Sequence, residues 1–107
     1  MAETKALRRL RRKLTLENLW LYIIKALMAS KAPLRAYDVK VMLRKMFNIK
    51  PATVTVYTVI YRMVNEGLLE GLRVNGETKY RVTDKGVKAF NEALEFLRNI
   101  LNVLEKQ

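Results

Sequence analysis

Between Thr53 and Asn65 the chain reads TVTVYTVIYRMVN. At helical spacing, Val56, Val59, Ile60, Met63 and Val64 make one apolar side, while Thr53, Thr55, Thr58, Tyr61, Arg62 and Asn65 make the other. The polar side offers hydroxyls, an amide and a guanidinium, and no carboxylate. Such groups suit recognition rather than bond-making. They can bond phosphate oxygens, their small size lets a helix backbone enter a groove, and a threonine methyl can meet a thymine. Threonine is a poor helix former, so three of them where solvent would favour Glu, Lys or Gln is unusual. The plainer alternative is that they cap and fill.

Chemistry of other kinds finds little support. The chain has no cysteine and no histidine, which removes disulfides, thiolate metal sites, the commonest metal ligand and the usual proton shuttle. Ten carboxylates are scattered with no nucleophile and base paired in the pattern, so no enzyme, metal or cofactor is expected. No uncharged apolar run approaches the roughly 18 residues of a membrane span. The best, Asn18 to Ile24, is closed by Glu17 and Lys25. The Arg-rich start has some character of a transit peptide but lacks the serines and a following linker. A cytoplasmic protein is expected.

The net charge of +11 is unevenly placed. Residues 1–62 hold 14 Lys/Arg against 3 Asp/Glu, and residues 63–107 hold 7 against 7. The whole excess therefore precedes or lies within the threonine-rich helix. A basic face of this kind attracts polyanions. Simple solubility explains a net charge but not its confinement to one half.

The elements that must position the polar side can be read outward from it. Residues 3–13, ETKALRRLRRK, carry Leu7 and Leu10, with Leu14 just beyond, at helical spacing between arginines. This predicts a helix packed on the body or on a partner subunit; a mobile arm tracking phosphates and a membrane-surface helix are the other readings. Thr15 can cap a second helix to about Ser30, with Leu16, Leu19, Trp20, Ile23, Ile24, Leu27 and Met28 as its apolar face. Lys31 to Leu34 reads as a connector. Arg35 to Phe47 reads as a helix with Val39, Met42, Leu43 and Met46 inward. The threonine-rich helix then starts at Pro51 or Thr53 and ends at Glu66, because Gly67 supplies a left-handed exit.

Asn75-Gly76 predicts a type I′ hairpin. That turn pairs Val74 with Glu77, Arg73 with Thr78, Leu72 with Lys79, Gly71 with Tyr80, Glu70 with Arg81 and Leu69 with Val82. Leu69, Tyr80 and Val82 then cover the core, with Tyr80 lying over Gly71. Arg73 and Lys79 fall near the tip. Thr83 caps a last helix of about 22 residues, roughly 33 Å. Along it Val87, Phe90, Leu94, Leu97, Leu101 and Leu104 form a heptad seam suited to dimerisation.

Thr55-Val56-Tyr57, Ile60, Arg62, Met63 and Glu66-Gly67-Leu68 resemble the T-[LV]-Y…L-x-R-L…E-G-L run of PadR-like transcriptional regulators. Tyr80 to Gly86 resembles that family's Y-x-[LI]-T-x-x-G, and Ala36-Tyr37-Asp38-Val39 its G-Y-E-I. The resemblance covers roughly residues 16–105. Ala36 departs from the family glycine, Thr58 from its proline, and the basic segment 5–13 has no counterpart in it. The resemblance implies an α+β, mainly α, winged helix that dimerises through its C-terminal helix, binds a pseudo-palindromic operator and represses transcription.

The expected organisation is a basic segment at 1–14, a DNA-binding domain at 15–83 and a dimerisation helix at 84–107. Helix 53–66 enters the major groove, and wing 69–82 lies on the backbone or minor groove. Thr53, Thr55, Thr58, Tyr61, Arg62 and Asn65 meet bases and phosphates. Arg35, Lys40 and Lys50 lie near the backbone, and the wing adds Arg73, Lys79 and Arg81. The expected partners are double-stranded DNA and a second copy of the chain. A further alternative is a small-molecule effector in a pocket lined by Trp20, Tyr22 and the C-terminal helix, though no polar constellation marks it. The competing function is an architectural or protein-interaction winged helix without strong sequence preference.

Overall fold

The structure is a computed structural model and describes residues 2–107. In chain order these form α1 (Lys5–Leu14), a 3-10 turn (Leu16–Asn18), α2 (Leu19–Ala29), α3 (Ala36–Phe47), α4 (Thr53–Asn65), β1 (Leu69–Val74), β2 (Glu77–Val82) and α5 (Asp84–Glu105). The core sits where α2, α3 and α4 meet. Ile23 and Ile24 of α2, Val39 and Leu43 of α3, and Val56, Ile60 and Met63 of α4 are buried together, and Leu68 and Leu69 close the cluster from the exit of α4. Each such side chain contributes about 1.5–3 kcal/mol by leaving water.

The helix ends differ from expectation in two places. Thr15 does not cap α2. It stands in a turn with φ −119° and ψ −86°, and its hydroxyl donates to the Arg11 carbonyl, so it closes α1. The 3-10 turn that follows leaves Leu16 exposed, as are Met28 and Met46, so the inward faces of α2 and α3 are narrower than the sequence pattern suggests. Pro51 is not the first residue of α4 but a buried residue before it, and Ala52 is the N-cap. Two left-handed residues do the turning elsewhere. Asn48 (φ 55°) ends α3 and Gly67 (φ 79°) ends α4.

The ribbon has the register that the Asn75-Gly76 turn dictates, from Leu69 opposite Val82 to Val74 opposite Glu77. A Cβ on Gly71 would lie 3.4 Å from the Tyr80 ring, so the ring does fill that space. Leu34, in the expected connector, adds a strand-like bridge. Its N–H donates to the Tyr80 carbonyl (3.1 Å) and its carbonyl accepts from the Tyr80 N–H (2.7 Å). The bridge ties the start of α3 to the wing.

Two parts stand away from this body. No residue of α1 is buried, and Leu7, Leu10 and Leu14 are all exposed. The helix expected there is present, but its leucines do not pack on their own chain. The distal half of α5 likewise leaves Phe96, Ile100, Leu101, Val103 and Leu104 in solvent. The radius of gyration is 15.4 Å, against about 13 Å for a compact chain of this length. No helix among the described residues is long and apolar enough to cross a membrane.

Candidate nucleic-acid interface

Helix α4 is fixed by Val56, Ile60 and Met63, which are at most 2% exposed. That anchoring decides what faces outward. Val54, Thr58, Tyr61 and Asn65 follow at intervals of four, three and four along the opposite edge and are all exposed, with Arg62 beside them. Thr53 and Thr55 are exposed at the first turn. The Thr58 hydroxyl donates back to the Val54 carbonyl (2.9 Å), which leaves its methyl and lone pairs for a visitor. Val54, which the sequence reading assigns to neither side of the helix, is 75% exposed. Tyr57 is 47% exposed and lies on the flank of α4 nearest the wing.

The N-terminal end of α4 is prepared for an anion. Ala52 supplies no side-chain cap and the first turn holds no acid, so the leading backbone N–H groups keep their partial positive charge. Lys40 Nζ reaches the Thr53 hydroxyl at 2.5 Å, bringing an ammonium to the same place. Beside it lies a shallow hollow of about 320 Å³ lined by Tyr37, Lys40, Arg44 and Lys50 and by no carboxylate. Tyr37 (57% exposed) and Arg44 stand outside the set expected from the sequence. A signal for Arg44 exists there, since it falls one helical turn after Lys40 on the same face of α3.

The wing cations are placed less freely. Arg73 holds its own turn, donating to the Thr78 hydroxyl (2.9 Å) and the Gly76 carbonyl (2.6 Å). It shares the α4-facing side of the ribbon with Tyr80, and Lys79 lies on the opposite side, so the two tip cations do not point the same way. Arg81 is paired with Glu70 across the strands. Arg35 donates to both oxygens of Asp38 (2.9 and 3.0 Å) and reaches Glu77 at 3.4 Å. These carboxylates hold the Arg35 guanidinium above its usual pKa, and Arg35, through its hydrogen bond first, holds Asp38 below the usual carboxylate range. By contrast Lys40, Lys50, Arg62 and Lys79 have no carboxylate within ion-pair distance among the described residues.

Two clefts flank α4. One, of about 780 Å³, separates it from the wing and is lined by Tyr57, Tyr61, Asn65, Arg73 and Tyr80. The other, of about 390 Å³, lies on the opposite flank, between Glu17 and Trp20 on one side and Arg62 and Glu66 on the other. Trp20 therefore does line a cleft. Tyr22 does not join it; its ring packs edge-on against Phe47 with centroids 5.2 Å apart.

The last helix begins as expected. The Thr83 hydroxyl accepts from Gly86 N–H (3.0 Å) and donates to the Gly67 carbonyl (2.5 Å), locking the start of α5 to the end of α4. Of the seam residues, Phe90 packs on the chain's own core, Val87, Leu94 and Leu97 are half-buried, and Leu101 and Leu104 are exposed. The first turns of α5 thus serve the fold, and the apolar surplus lies at its far end.

No protein-family model matches the chain, and no curated protein matches it. Solved structures do. A winged-helix DNA-binding protein from STIV is 23% identical, with a TM-score of 0.69 over 80% of this chain and 92% of that one. A PadR family transcriptional regulator from Eggerthella lenta is 22% identical, with a TM-score of 0.69 over 97% and 100%. A PadR-like transcriptional regulator from Bacillus cereus is 25% identical, with a TM-score of 0.60 over 90% and 97%. The likeness establishes the fold as a winged helix, mainly α with one two-stranded antiparallel ribbon. PadR-family regulators recur among the structures that share it.

Proposed function

We propose that this chain, whose winged-helix fold is that of PadR-family transcriptional regulators, is a sequence-specific double-stranded DNA-binding regulator that acts as a homodimer and represses transcription. One observation carries the reading. The uncapped, acid-free N-terminus of α4 lies beside the carboxylate-free cluster of Lys40, Arg44 and Lys50, and it leads directly into the exposed Val54–Thr58–Tyr61–Asn65 stripe.

The division of labour follows from the chemistry. Phosphates meet the α4 N-terminus, Lys40, Arg44 and Lys50, which position the helix without reading sequence. Base edges in the major groove meet Val54, Thr55, Thr58, Tyr61, Arg62 and Asn65. Arg73 and Lys79 extend the contact to the backbone or minor groove. Arg35 and Arg81 reach DNA only by giving up their carboxylates, so they contribute least. Two copies joined along Leu97, Leu101 and Leu104 of α5 bury the apolar surplus and present two α4 helices to half-sites about one turn, roughly 34 Å, apart.

Selection of binding sites from random duplex DNA tests the reading. A regulator enriches an inverted repeat and prefers it over bulk DNA by about a thousandfold or more. Equal affinity for every duplex would make the protein architectural instead. Sedimentation of Leu97→Glu/Leu101→Glu tests the assembly: monomers are expected, and a persistent dimer would place the interface elsewhere.

A further inference from the structure

Helix α1 carries six of the chain's basic residues in ten positions and contributes nothing to the core. At 100° per residue, Lys5, Arg8, Arg9 and Arg12 fall inside an arc of about 100°, opposite Leu7, Leu10 and Leu14. The few acids nearby are already engaged. Glu3 pairs with Arg11, and Glu17 pairs with Arg12 (3.3 Å) and Lys13 (2.8 Å). Lys5, Arg8 and Arg9 have no carboxylate partner among the described residues. A helix that concentrates unpaired cations on one side repels itself and gains by meeting an external polyanion.

The root of this helix is fixed to the 3-10 turn and to α2. Tyr22 donates its hydroxyl to the Leu14 carbonyl (2.6 Å), Asn18 donates to the Lys13 carbonyl, and Glu17 holds Arg12 and Lys13. Glu17 lines the same cleft as Arg62 and Glu66, on the flank of α4 away from the wing. The arm and the wing therefore leave the body on opposite sides of α4, and each carries cations outward.

We propose that α1 is a second wing in function: a phosphate-binding arm whose Lys5, Arg8 and Arg9 contact duplex DNA beyond the surface that α4 and the ribbon cover. The assignment rests on the reading of α4 as the DNA-contacting helix. Duplex DNA is favoured over an anionic membrane because three leucines on ten residues make a short, narrow stripe without aromatic anchors, and because Glu17, which holds the root of the arm, lines the same cleft as Arg62. The arm is tethered at one end only, so it adds attraction without fixing which bases are read.

The test compares the full-length protein with Lys5→Gln/Arg8→Gln/Arg9→Gln, all surface changes to a good helix former. Affinity for a selected site and for random duplex is measured across a salt titration. The wild-type dimer is expected to show a slope of log K against log salt steeper by about 6 than the variant dimer, about one for each phosphate that the three altered cations on each of its two arms no longer neutralise. Both affinities should fall by the same factor, leaving the preference between sites unchanged. Coincident slopes overturn the arm. A vanished preference for the selected site also overturns it, by assigning these residues to sequence reading. A wild type that binds no duplex at all defeats the reading of α4 itself. Adsorption to phosphatidylserine vesicles by wild type alone, with coincident DNA slopes, identifies a membrane-surface helix and overturns the proposal.

Discussion

Helices α4 and α1 both turn hydrogen-bond donors to solvent, and they are held in opposite ways. Helix α4 is clamped along one side by Val56, Ile60 and Met63, so each exposed group stands at a set height and angle from the core. Helix α1 has no buried residue and is tied down only where it meets the 3-10 turn. Their compositions match the difference. The clamped helix carries short or rigid groups, Val54, Thr58, Tyr61 and Asn65, whose value depends on placement. The tethered helix carries long arginines and lysines, whose charge acts at a distance and tolerates a loose position. Reading a sequence needs register, and register needs a core. Holding a polyanion needs only charge.

The largest expected contrast is in stability. Ile60→Ala should cost about 2–5 kcal/mol, because a fully enclosed side chain leaves a cavity where α2, α3 and α4 meet. Leu10→Ala should change stability by no more than about 0.5 kcal/mol. Urea denaturation of both variants measures the difference, and a large effect of Leu10→Ala would mean that α1 is packed in solution, for instance on a second copy. Next comes the joint between α4 and α5. A Cβ at Gly86 would collide with the Leu68 carbonyl and lie 2.8 Å from Val82, so Gly86→Ala should cost about 1–3 kcal/mol. A silent Gly86→Ala would show that α5 is free to shift on the body.

Arg62→Ala sharpens the comparison in binding. It should weaken a selected site by about 1–3 kcal/mol while leaving the oligomer unchanged. Equal losses on selected and random DNA would move Arg62 from base reading to phosphate contact, making α4 more like α1. The smallest effect concerns Asp38. Its carboxyl is held below the usual range first by the Arg35 hydrogen bond, so folding favours the ionised form. The resulting stabilisation is present above the ordinary aspartate value of about 3.9 and is lost as pH falls through the lower folded value. Asp38→Asn should therefore be slightly less stable than wild type at pH 7 and indistinguishable from it in strong acid. A difference that persists in acid would trace to the helix cap rather than the charge.

The hairpin is the most legible element, because Asn75-Gly76 admits one turn type and a turn type fixes every pair that follows. The outward side of α4 is legible too, since threonines and an asparagine are poor choices for a buried face. What escapes the sequence is set by packing between elements. Val54 looks apolar and is exposed because its position on α4 faces away from α2 and α3. Thr15 looks like a cap and instead closes the preceding helix. Leu34 looks like linker and pairs with Tyr80, which lies far along the chain. Arg35 looks free in the sequence, yet it is engaged by Asp38 and by Glu77 of the wing, whereas the pairing of Arg81 with Glu70 follows from the hairpin register.

The order of the main elements, the inward residues of α4, the ribbon register and the basic bias of the first half all follow from local periodicity, turn chemistry or simple counting. That Glu77 reaches Arg35, which apolar residues have no partner, and that the root of α1 and the wing lie on opposite flanks of α4 emerge only when the elements pack. Those outcomes depend on distances between residues remote in the chain, and burial or pairing is a property of the neighbours a side chain meets rather than of the side chain alone.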